Sequence, residues 1–198
     1  FIVSTPEEWM EIHSERKNGG TELGKVLKRF LASEKKSTPL LFWAAIAGAL
    51  TGVLGALFQI SIEKVGGLRQ VLLESLPQTP YILVIASVLF SAVLVFLAFL
   101  LVRKAAPETG GSGVHEIEGA LDDVRPIRWK AVLPVKFFGG LLSLGGGMVL
   151  GREGPTIQMG GNVGKMVADL FKVSKDDAHA LIAAGAGGGL TAAFNAPL

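Results

Sequence analysis

Cysteine is absent from the 198 residues, which excludes disulfides, thiolate metal ligands and thiol catalysis without fixing a compartment. Charge is scarce as well. Only 18% of the residues are Asp, Glu, Lys or Arg, against about 25% in soluble domains. The net charge of +2 is too small to point to a nucleic-acid partner. His13, His115 and His179 are scattered without metal-ligand spacing, so neither a metal nor any other cofactor is expected. Residues 146–151 have the glycine spacing of a phosphate loop, but Arg152-Glu153 stands where Lys-Ser/Thr is required. Paired acids and a Ser/His constellation are missing too, so an enzyme is not expected. The chain begins with neither methionine nor a basic-then-apolar leader, and residues before Phe1 are expected.

Glycine and apolar side chains are plentiful. Twenty-six glycines exceed the usual share of about 7%, hydrophobic residues make up 49%, and mean hydropathy is +0.48. Residues 1–20 read as a loose cytoplasmic arm. Leu23, Val26, Leu27, Phe30 and Leu31 then recur at helical spacing, with Lys25, Lys28 and Arg29 on the other face. That pattern fits a helix on the membrane surface or one packed on another domain. Residues 40–62 contain no charge over 23 positions, enough to span a bilayer. Ala44, Gly48, Gly52 and Ala56 give this run a small-residue stripe for helix packing. Residues 63–80 read as a loop with a possible helical start, and residues 81–102 form a second uncharged run, closed by Arg103-Lys104. Basic residues before the first run and after the second place both ends in the cytoplasm.

Beyond residue 110 the apolar segments are short and interrupted by glycine and proline. Broken helices of this kind bring helix ends to a site at membrane depth. In Gly151-Arg152-Glu153-Gly154-Pro155 a carboxylate follows an apolar run. Such a group at bilayer depth costs about 2.5–3.5 kcal/mol and is a functional suspect by default. Proline suits the first helical position, so a helix is predicted to start at 154–155. Glu153 would then sit at free N–H groups and a positive helix end, an anion site already holding a carboxylate.

These residues resemble the CLC family of chloride channels and proton-coupled chloride transporters. Residues 151–155 match its G-R/K-E-G-P motif throughout. Gly111-Ser112-Gly113-Val114-His115-Glu116 matches its G-S-G-I-P-E motif except at Val114 and His115. Leu133-Pro134-Val135-Lys136-Phe137 and Ala193-Phe194-Asn195-Ala196-Pro197-Leu198 are similar to family sequence.

The resemblance implies an all-α polytopic membrane protein with re-entrant helices, the first half of an inverted-repeat fold. Residues 1–37 would form the cytoplasmic arm, and 38–198 the N-terminal portion of the transmembrane domain, in a bacterial cell membrane. It implies chloride/proton exchange, with passive chloride conduction as the alternative and a non-transporting scaffold subunit as the rival from another class. Glu153 would gate the anion path and accept the outer proton. Ser112 would bind chloride, family members with proline there favouring nitrate. Gly111, Gly113, Val114, His115, Gly151, Arg152, Gly154 and Pro155 complete the two motifs. For His115 a helix-start role and a titrating, regulatory one both stand. Glu118 and Lys136 resemble inner-side polar positions, with snorkelling and pairing along a wet inner path both open for Lys136. The implied partners are chloride, protons, lipid and a second copy joined through sequence beyond Leu198.

Overall fold

A computed structural model describes the backbone over residues 6–196 and side chains over residues 39–196. The chain divides into two units, Phe1–Phe42 and Trp43–Leu198. Among the described residues every regular element is helical: α1 Pro6–Glu74, α2 Pro80–Ala105, α3 Val114–Leu121, α4 Trp129–Gly145, α5 Glu153–Phe171 and α6 Lys175–Phe194. A 3-10 turn, Pro107–Thr109, lies between α2 and α3. In the first unit the backbone is helical from Pro6. The amphipathic reading of Leu23 to Leu31 concerns side chains outside the described residues.

The stretch Pro39–Glu74 of α1 and all of α2 are long and apolar enough to cross a membrane, and the most apolar part of each is only 17% and 6% buried. A helix buried in a soluble core would be largely covered, so these faces call for lipid or protein around them. Helix α1 continues to Glu74, through most of the stretch expected to be a loop. Glu63, Lys64 and Glu74 are exposed there, and Gln59–Glu63 and Gln70–Glu74 hydrogen bonds four residues apart support the extra turns. Ser75 then bonds back to the Leu72 carbonyl at 2.7 Å, and Pro80 opens α2.

The core of the second unit is built on α5 and α6. Met159, Val163, Val167 and Leu181 are almost fully buried, at 0–2% exposure. A Cβ on Gly164 would lie 2.6 Å from the Leu181 carbonyl carbon. Glycine therefore lets the two backbones touch, a packing mode suited to helices in lipid. Phe58 of α1 is also buried and packs on Phe137 of α4, with ring centroids 5.4 Å apart. Trp43 stacks on Phe171 at 3.7 Å.

Helix α4 ends in its glycine run, and residues 146–152 cross non-helically to α5. Ser91 of α2 donates to the Gly146 carbonyl at 2.5 Å. Arg69 of α1 pairs with Ser87 and lies against Gly147, whose φ of 93° only glycine adopts readily. This crossing delivers Glu153 to its place.

Candidate functional site

The first motif is a turn between α2 and α3. Gly111 and Gly113 take φ of 72° and 82°, left-handed values that suit glycine. Gly113 occupies the N-cap position of α3, and the Ser112 hydroxyl accepts a long hydrogen bond from Val114 N–H at 3.4 Å. Ser112 therefore presents its hydroxyl just before the positive end of a helix.

The second motif is the start of α5. The helix begins at Glu153, one residue before the predicted start, because Arg152 already has helical angles as its N-cap. Thr156 donates to the carbonyls of Arg152 and Glu153 at 3.0 and 2.9 Å and closes the first turn. No side chain caps the helix end, and Pro155 has no N–H, so the donors offered there are backbone groups of the first turn. The Glu153 carboxylate folds back over Gly151, where a Cβ would collide with its Oε2.

The two motifs meet. They share a cleft of about 480 Å³ with Lys136, bordered also by Gly139, Gly140 and Ser143 of α4. Among the described residues only Lys136 and Glu153 bring charge to its walls. A second cleft, of about 310 Å³, is bordered by Gln59, Glu63 and Arg152 and shares Leu144, Leu150, Gly151 and Glu153 with the first. Glu153 thus stands on the boundary between two spaces.

Lys136 is 4% exposed, so its ammonium does not snorkel to water. It donates to the carbonyls of Thr109 at 2.9 Å and Gly111 at 2.8 Å, fastening the Ser112 turn to α4. Glu118 is exposed and does not line the cleft. His115 is 56% exposed at its side chain and stands 3.4 Å from Glu116, which pairs with Arg125. That position fits a helix-start residue outside the cleft.

Gln158 and Asn162 are part of the site's support that sequence reasoning passed over. Both are buried to 1–2% exposure in α5. Gln158 Nε2 donates to the Glu108 carbonyl at 3.0 Å, and Asn162 Nδ2 to the Gln158 carbonyl at 2.8 Å. Two amides four residues apart in a glycine-rich apolar helix were the available signal. Glu108 makes a two-pronged pair with Arg128 at 2.8–2.9 Å. Burial raises the Glu108 pKa, but the guanidinium outweighs it and holds the carboxyl below its ordinary range.

Comparison with known proteins places this geometry. The chain is 51% identical over 173 residues to the H(+)/Cl(-) exchange transporter ClcA of Vibrio vulnificus strain YJ016, covering 87% of this chain and 37% of that protein. It is 55% identical over 165 residues to the same-named protein of Vibrio parahaemolyticus, covering 82% and 35%. A crystal structure of a slow cyanobacterial Cl-/H+ antiporter superposes with a TM-score of 0.76 at 44% identity, over 79% of this chain and 37% of that one. The chain therefore spans somewhat more than a third of the length of these relatives. The model for voltage gated chloride channels matches residues 94–198, more than half of the chain and both motifs, and the chain belongs to that family.

Proposed function

We propose that these residues form the N-terminal portion of an anion pathway that exchanges chloride for protons across a bacterial cell membrane. The observation that carries this reading is the position of Glu153, which borders both clefts and shares the larger one with Ser112 and Lys136. Chloride would be held by the Ser112 hydroxyl and by N–H groups at the starts of α3 and α5, where helix dipoles favour negative charge. The buried Lys136 ammonium, bonded to carbonyls and not to a carboxylate, adds positive potential. The Glu153 carboxylate seeks the same field, so it competes with chloride until a proton neutralises it. Apart from the reversible protonation of Glu153, no covalent bond is made or broken in this cycle, and the proposed function is transport.

Glu153→Gln holds the neutral state and Glu153→Ala empties the position. In liposomes carrying a full-length polypeptide with this sequence, both variants should still move chloride. Neither should let a chloride gradient drive protons uphill. Parallel chloride and pH electrodes read the two fluxes. Intact proton pumping in either variant defeats the gate, and a native protein that moves chloride with no coupled protons is a passive channel.

A further inference from the structure

We infer that Gln158 is a positioning residue for chloride selectivity, holding the Ser112 turn to the same helix that carries Glu153. An anion site built from backbone needs its N–H groups free and its carbonyls occupied, because a bare carbonyl oxygen repels the ion. The turn before Ser112 meets that requirement nearly completely. The Ala106 carbonyl accepts from Thr109 N–H at 3.0 Å and from the Thr109 hydroxyl at 2.7 Å. The Pro107 carbonyl accepts from Gly110 N–H at 3.0 Å. Lys136 occupies those of Thr109 and Gly111. The Glu108 carbonyl is filled from outside the turn, by Gln158 Nε2 at 3.0 Å.

Gln158 also touches the turn at its other end. A Cβ on Gly113 would collide with the Gln158 side chain, so the amide lies directly against the residue that follows Ser112. Swapping the amide's two ends would set its oxygen against the Glu108 oxygen, so this hydrogen bond fixes its orientation. Among the described residues no group donates to the amide oxygen, and Gln158 is 1% exposed. Methionine would fill the space but leave the Glu108 carbonyl without this donor. What glutamine supplies is a donor at one fixed height, about one and a half turns after Glu153 on α5.

The inference rests on the reading of Ser112 as a chloride ligand, and the test separates the two. Full-length protein carrying this sequence is reconstituted, and chloride and nitrate fluxes are measured for the unsubstituted form, Ser112→Pro, Gln158→Met and Gln158→Glu. Gln158→Met keeps the volume and removes the donor. Its chloride-over-nitrate preference should fall roughly 2- to 10-fold, the worth of one neutral hydrogen bond, with anion flux retained. Gln158→Glu should lose the preference at pH 7.5, where an ionised carboxylate cannot donate. It should recover towards the unsubstituted value at pH 4.5, where a buried carboxyl is largely neutral and can donate again. A role limited to packing would not show that recovery. Unsubstituted ratios in both Gln158 variants, with Ser112→Pro shifted, overturn the inference. An unshifted Ser112→Pro removes the reading of Ser112 and this inference with it. If Gln158→Met does not fold, Gln158→Glu purified at low pH decides alone.

Discussion

Gly154 rests directly on the backbone of Ser112: a Cβ there would lie 2.7 Å from the Ser112 carbonyl oxygen and 2.9 Å from its Cα. The two sequence motifs are therefore one contact, and the glycine of the second sets the depth at which the first can sit. Gly154→Ala should push α5 off the turn. We expect a loss of about 1–3 kcal/mol, the usual cost of overpacking, seen as a lower unfolding temperature in detergent. An unchanged unfolding temperature would mean that the contact yields freely.

Helices α5 and α6 test the same principle away from the cleft. In Gly164→Ala the new methyl meets the Leu181 carbonyl carbon at 2.6 Å and the Ile182 Cα at 2.9 Å, and backbone cannot step aside as a side chain can. This variant should yield little folded protein. Gly187→Ala, with nothing within 4 Å, should be harmless or stabilising by up to about 1 kcal/mol through helix propensity. Size-exclusion profiles of the pair check the contrast, and equal behaviour would contradict the interface.

Asp123 follows α3 and clasps the start of α6. A hydrogen bond from Lys175 at 2.6 Å, opposed by slight desolvation and helped by His179 at 3.2 Å, holds its carboxyl below the ordinary range. A depressed folded pKa contributes stability that is fully present above the unfolded value near pH 4. That contribution is lost as pH falls through the lower folded value. Asparagine, like aspartate, tolerates the left-handed backbone of this position, φ 59°, so the substitution removes charge without adding strain. Asp123→Asn should therefore unfold earlier than the native protein at pH 6, with the gap closing towards pH 3. A gap independent of pH would assign the effect to something other than charge.

The relatives make this chain part of an integral membrane protein, and its orientation is open to a direct measurement. Ser75 is exposed in the turn between the two apolar helices. From the basic residues before the first apolar run and after the second, the positive-inside rule predicts that Ser75 faces the outside of the cell. These 198 residues contain no cysteine, so Ser75→Cys adds one reactive site to them, and its labelling is read against the unsubstituted protein. It should react with an impermeant thiol reagent in intact cells. Labelling only after permeabilisation reverses the topology.

Much of the fold was legible because lipid imposes one-dimensional rules. Two uncharged runs at residues 40–62 and 81–102 are long enough to span, and α1 and α2 carry them. Helix α4 stops at Gly145, at the start of a glycine run that sequence reading leaves inside one apolar segment over 130–150. The loop expected over 63–80 shrank to residues 75–79, because charge ends a membrane span without ending a helix. The two motifs were visible as glycine, serine, glutamate and proline in patterns suited to helix starts.

What the sequence determined by itself is the inventory: apolar spans, breaks between them, two helix starts, and a carboxylate at one of them. These follow from local chemistry, from which residues can sit in lipid, take positive φ or begin a helix. Only the tertiary structure decided that Ser112 and Gly154 touch, that Lys136 ends on the Thr109 and Gly111 carbonyls, and that Gln158 ends on Glu108. Those partners lie 25 to 50 residues apart. No local preference encodes such pairings. They are set by how closely Gly154 lets α5 approach the Ser112 turn, and by the need of that turn's backbone carbonyls for donors.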